Sequence, residues 1–116
     1  MPRTYFSVHL LNKYTGFDPE VMQMMFDVFK KHYPDYFKEA SECIERKDWA
    51  NFGLVVHRAK SAVAIMGMEE IENELEEIEQ QAVQGKNTDI YASHLDNILK
   101  KVKTGVEQIQ QYVDNR

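Results

Sequence analysis

The chain has 116 residues, 43% of them hydrophobic and 28% charged, with a formal net charge of −5. That is the size and balance of one globular domain around a modest core, and the acidic chain lacks the basic patch that nucleic-acid phosphates demand. Cys43 is the only cysteine, which excludes a disulfide framework and a cysteine-based zinc site, and no stretch nears the roughly 18 apolar residues that span a bilayer. Met1-Pro2-Arg3-Thr4-Tyr5-Phe6 lacks the apolar run of a signal peptide, so the expectation is a soluble, cytoplasmic protein that touches neither membrane nor nucleic acid.

The pattern along the chain is helical throughout, with no β-type alternation beyond a few residues. Residues 1–17 read as an apolar lead-in, with Tyr5, Phe6, Val8, Leu10, Leu11 and Tyr14 available to cover one end of a bundle. Asp18-Pro19-Glu20 carries the signals of a helix start: an N-cap, a proline at the first position and an acid in the first turn. Val21, Met24, Met25, Val28 and Phe29 follow at helical spacing, and Pro34 is expected to break or kink the helix near Tyr33. A further helix then turns Phe37, Ala40 and Ile44 inward and ends near Arg46-Lys47. Asp48 caps the next, which runs from Trp49 to Met66 and stops at Gly67. Another covers about Met68 to Gln84 on a stripe of Ile71, Leu75, Ile78 and Ala82. After the turn at Gly85-Lys86-Asn87, a last helix starts at Thr88 or Asp89, with Ile90, Leu95, Ile98, Leu99, Val102, Val106, Ile109 and Val113 inside. Short connections make neighbours antiparallel, giving an all-α, up-and-down four-helix bundle with an additional short N-terminal helix, a single domain over residues 1–116.

On a wheel at about 100° per residue, Phe52, Val55, Val56, Ala59, Ala62, Val63 and Met66 gather on one side of the Trp49–Met66 helix. His57 points nearly the opposite way. Its neighbours at helical spacing are Gly53, Lys60, Ser61 and Ala64: small residues and one cation, where a solvent face normally carries long charged ones. Leu54 and Ile65 flank this face and expose apolar surface suited to docking. A neutral imidazole is a good nucleophile, and a nearby ammonium disfavours its protonation. The same ammonium can offset and hydrogen-bond a phosphoryl group once one is attached.

The run from His57 to Gly67, His-Arg-Ala-Lys-Ser-Ala-Val-Ala-Ile-Met-Gly, resembles the motif of the histidine phosphotransfer (HPt) family. There a phosphorylated His is followed three residues on by Lys, then by Gly and small residues, with a further Gly ten residues after the His. The likeness extends to the Tyr14–Asp18 lead-in, the Phe29…Pro34 junction, the Asp48-Trp49 cap and the Glu-rich helix after Gly67. It implies a helical bundle with a phospho-His intermediate, exchanging its phosphoryl group reversibly with an aspartate of a receiver domain. By resemblance His57 is the phosphoacceptor, Lys60 the phosphoryl-stabilising cation and Gly67 the tight helix–helix turn. Two residues depart from the pattern: Ser61 stands where Gly is usual, and Val56 where Ala is. A polar side chain of the following helix often orients the imidazole in this family, a place that either Glu79 or Gln80 could fill. The partners implied are receiver domains and a hybrid sensor histidine kinase, with no bound cofactor and with Mg²⁺ supplied by the receiver.

A lone histidine on a helix is most often structural or merely exposed, and the other three read so. His94 lies beside the last helix's core stripe, His32 at a helix end where it could cap carbonyls, and His9 in the lead-in. The acids of Glu69–Glu79 read as a solvated face, and the six methionines as gap-filling core residues, with Met24 and Met25 candidates to line a groove beside His57. No Glu-x-x-His pair sits on the last two helices, so no metal site is expected. No Ser/His/Asp triad or nucleotide-binding Gly loop is evident either, which points to a phosphoryl carrier and not a kinase. The competing readings are an interaction module that binds receivers or kinases without taking phosphate, and a bundle of unrelated ligand-carrying function. The start at Met1 and the complete set of helices favour a free-standing protein, with monomer the default.

Overall fold

The computed structural model describes residues 3–116; the Met1-Pro2 start falls outside the described residues. Helix α1 spans Val8–Tyr14 and is capped by Ser7, whose hydroxyl accepts from the Leu10 N–H. Helix α2, Pro19–Arg46, opens with Asp18 Oδ1 accepting from the N–H groups of Glu20 and Val21, at 2.9 and 3.3 Å, and closes on Lys47 in the left-handed region. Helix α3, Trp49–Ile65, starts at Asp48, whose carboxylate takes both the backbone and side-chain N–H of Asn51. Those bonds hold the Asp48 carboxyl below its ordinary pKa, the side-chain bond foremost. Helix α4, Glu69–Gln84, ends on Gly85 with φ +67°, and one 3-10 turn, Thr88–Ile90, leads into α5, Tyr91–Asp114. These caps satisfy end groups that helical bonding leaves open.

The structure is all-α: α3 packs between α2 and α4, α5 closes the ring against both, and α1 lies across one end against α3. Three expectations from the sequence are corrected. Pro34 does not end a helix; α2 continues through it for 28 residues. An interior proline costs about 3 kcal/mol relative to alanine. Phe29 and Phe37, buried on either side of it, each contribute about 1.5–3 kcal/mol by burial, and Pro34 itself is exposed, where water can reach the Lys30 carbonyl that lost its donor. The stripe in the first half of α2 is Met22, Phe26 and Phe29, while Met24 and Val28 are 60% and 54% exposed. Both sets obey helical spacing; the unbroken helix selects the one in register with Phe37, Ala40 and Cys43. At the start of α5, Ile90 is exposed and Tyr91 is fully buried, since the 3-10 turn rotates the entry. Tyr91 stacks on Phe52 at 5.1 Å and meets Trp49 edge-on at 5.5 Å, tying α5 to the start of α3.

The N-terminal segment straps the other end of α3. Leu11 is fully buried, Tyr5 and Phe6 pack on the core, and Val8 and Tyr14 stay about half exposed. The Ser7 N–H donates to the Gly67 carbonyl at 2.9 Å. Gly67 has φ +76°, and a Cβ there would come 2.8 Å from the Ser7 carbonyl oxygen and 3.0 Å from the Leu11 nitrogen. The turn from α3 to α4 therefore requires glycine twice over, for its backbone angle and for the close approach of α1. Among the described residues no helix is long and apolar enough to cross a membrane.

Candidate functional site

The Gly67 turn folds α4 back along α3, so residues advancing on one helix meet residues receding on the other. His57 and Lys60, three apart on α3, thus face Glu79 and Glu76, three apart on α4. The imidazole is on the outer face, with a side chain 56% exposed, and its Nδ1 lies 2.9 Å from Glu79 Oε2. Lys60 is only 17% exposed; its ammonium lies 2.8 Å from Glu79 Oε1, with the placement of an ion pair more than of an aligned hydrogen bond, and also donates to Glu76 Oε2. Gln80 Nε2 donates to the other Glu76 oxygen at 2.9 Å. The result is a continuous chain of contacts: His57, Glu79, Lys60, Glu76, Gln80.

The electrostatics follow from that chain. The hydrogen bond to Glu76, and next the Glu79 carboxylate beside it, raise the Lys60 pKa above its usual value. The Lys60 bond, helped by that from Gln80, holds the Glu76 carboxyl below its own. A carboxylate only accepts hydrogen bonds, so the Glu79 contact calls for a proton on Nδ1 and leaves the lone pair of the neutral ring on Nε2. The cation expected one turn from the imidazole is Lys60, and in this structure its ammonium is engaged by two carboxylates of α4.

Of the two candidates to meet the imidazole, Glu79 does so, and Gln80 reaches only Glu76. Gly53 and Leu54 line a shallow groove beside His57 together with Trp49, Ala50, Ala82 and Val83, and Leu54 and Val83 are 59% and 81% exposed. Ser61 is exposed one turn further along α3. Ala64 is half-buried and faces Leu10 and Tyr14 of the α1 side, so it stands apart from the groove. Gly67 is buried under α1 and offers no docking surface. The groove lined by Met25 and Ile65 is a separate one between α2 and α3, without His57; Met24 lines neither it nor the groove beside the histidine. His32 borders that second groove from within α2 and caps no helix end, because α2 does not stop there.

Sequence reading missed Glu76, Trp49 and Val83. The acids of α4 are also less solvated than expected: Glu70 pairs with Arg3 and Glu74 with Lys101, both at 2.7 Å, while Glu76 and Glu79 serve the site. A signal for Glu76 was present, since an antiparallel hairpin pivoting near Gly67 sets an i, i+3 acid pair opposite the i, i+3 pair of His57 and Lys60. Trp49 and Val83 fall at the hairpin's open end, where no periodic pattern distinguishes groove from surface.

The fold and site define a class: an antiparallel helical bundle that displays one hydrogen-bonded imidazole on the outer face of a middle helix. Residues 24–113 match the family model of the Hpt domain, and the chain belongs to that family. No curated protein and no solved structure matches the chain significantly. The matched residues begin inside α2, so α1 and the Tyr14–Asp18 lead-in lie outside them. Hpt domains are phosphotransfer modules of phosphorelays and interact there with receiver and kinase domains.

Proposed function

We propose that this chain is a phosphoryl carrier in a multistep phosphorelay, with His57 as the acceptor and Nε2 as the atom that is phosphorylated. The carrying observation is the Glu79 contact, which commits Nδ1 to a proton and leaves the Nε2 lone pair on a half-exposed ring. The donor is a receiver domain phosphorylated on aspartate. Nε2 attacks phosphorus in line; the N–P bond forms as the P–O bond breaks, and the aspartate carboxylate leaves with the electron pair. The ring, still protonated at Nδ1, becomes a phosphoimidazolium, and the Glu79 carboxylate offsets the positive charge that develops on it. Lys60, one turn along α3 and joined to the same Glu79, is the cation assigned to the phosphoryl oxygens, alongside Mg²⁺ held by the receiver. The reverse reaction on a second receiver discharges the carrier. The protein contributes no kinase or hydrolase step of its own, and a hybrid sensor histidine kinase stands upstream, in the cytoplasm.

The surface around the ring supports docking. A Cβ on Gly53 would meet nothing within 4 Å, so no internal contact requires a glycine there. Yet glycine within a helix costs about 1 kcal/mol relative to alanine. Clearance for a partner explains its presence, with Ser61 short for the same reason and with exposed Leu54 and Val83 as apolar contacts. The whole chain acts as one such domain, and as a monomer.

The test is a panel of receiver domains charged with labelled phosphoryl. Wild-type protein is expected to take up acid-labile, base-stable label, and His57→Gln to take up none. Label retained by His57→Gln overturns the assignment. Receiver binding without any label on wild type supports a pure interaction module instead.

A further inference from the structure

Lys60 stands one turn along α3 from His57 and shares Glu79 with it, yet it is drawn toward α4 by two acids. From this we infer that Glu76 is a positioning residue that withholds Lys60 from the phosphoryl group and so keeps phospho-His57 short-lived and readily donated. The inference deepens the reading of His57 as acceptor and rests on it.

The geometry distinguishes the two acids. Glu79 divides its oxygens between the imidazole and Lys60, and its bond to the ring strengthens when that ring becomes cationic. It is therefore not the partner that lets go. Glu76 has no contact with the ring; one oxygen takes Lys60 and the other is steered by Gln80. Of the three ammonium donors one goes to Glu76, and the Glu79 carboxylate holds the head on the α4 side by charge. The Lys60 stem is packed, with the side chain only 17% exposed, which limits how far the head can swing. A phosphoryl group on Nε2 must then compete with Glu76 for the same cation.

Charge balance points the same way. Lys60, Glu76 and Glu79 together carry one positive and two negative charges, so the cluster is net acidic before any phosphoryl group arrives. A site built for long storage would present an uncommitted cation. This one offers a cation already neutralised, next to surplus negative charge that repels the incoming group.

The experiment compares wild type with Glu76→Gln, which keeps the shape and the Gln80 contact but removes the charge. Glu76 is partly exposed, so the variant is expected to fold, and a thermal melt checks this. Both proteins are phosphorylated directly with phosphoramidate, and the decay of phospho-His57 is followed by ³¹P NMR. The expected result is a lifetime about three- to tenfold longer in Glu76→Gln, with correspondingly slower discharge onto a receiver, the size being that of one partly screened charge a few ångströms away. In a Lys60→Met background the larger part of this gain disappears, which a purely structural ion pair does not predict. An unchanged lifetime in Glu76→Gln overturns the inference, and so does a gain undiminished in Lys60→Met. In both cases His57 remains the acceptor. Wild type that takes no phosphoryl group on His57 overturns that reading itself, and the inference with it.

Discussion

At His57 the bond from Nδ1 to Glu79 sets both tautomer and ring orientation, two properties that exposure alone would leave free. An imidazole on a helix surface ordinarily samples rotamers and both tautomers; the carboxylate from α4 selects one of each. Glu79→Ala is accordingly expected to lower the rate of phosphoryl uptake from a receiver about 10- to 100-fold, the scale of losing a fixed attack geometry. A ¹⁵N spectrum of the variant should show His57 as a mixture of tautomers; an unchanged rate and a single tautomer would remove Glu79 from the mechanism. The same residues predict a pH signature in stability. Glu76 is held below its ordinary value of 4.5 by Lys60, so its contribution is present above that value and is lost as pH falls through the lowered one. Lys60 is raised above 10.5, so its contribution is present below that value and is lost as pH rises through the raised one. Melting wild type beside Glu76→Gln should show a difference that is flat near neutrality and shrinks in acid; a difference that does not shrink as pH falls below 4.5 would contradict the pairing.

Among the elements, α3 carries His57 and the small residues beside it, and α4 brings the acids that meet it. Gly53 illustrates the division between stability and use. Gly53→Ala is expected to stabilise the fold by about 0.5–1 kcal/mol, since the added methyl meets open space and the helix gains propensity. Gly53→Arg should fold and still accept phosphoryl from phosphoramidate, but should lose transfer from receivers; equal receiver transfer in wild type and Gly53→Arg would place docking elsewhere. What the sequence made legible here follows from local chemistry. The caps at Asp18 and Asp48 and the small-residue face around His57 need no tertiary knowledge to be seen. The stripe of α2 does, because Met24 and Val28 repeat as well as Met22 and Phe26, and only the unbroken helix through Pro34 chooses between them. Partners across the α3–α4 hairpin were half legible. Glu79 was one of two candidates, while Glu76 was hidden in a run of acids whose pairing depends on the register set at the Gly67 turn.

For the molecule as a whole, the bundle turns a hairpin register into a site, and the N-terminal strap fixes that register from outside. Short loops and apolar stripes made the four-helix architecture legible in advance; the docking of α1 on Gly67 was not, since it depends on a backbone contact that no side-chain pattern encodes. Gly67→Ala is expected to destabilise by about 1–3 kcal/mol, combining a positive-φ penalty with collision against the Ser7 carbonyl. A melt shift within error would show that α1 yields without cost. The proposed chemistry turns on one atom, His57 Nε2. The most direct measurement is a ³¹P–¹⁵N correlation on histidine-labelled protein that has received its phosphoryl group from a receiver. The expected result is a single coupling, to Nε2 of His57, with Nδ1 still protonated. Coupling to another histidine, or to His57 Nδ1, would contradict it.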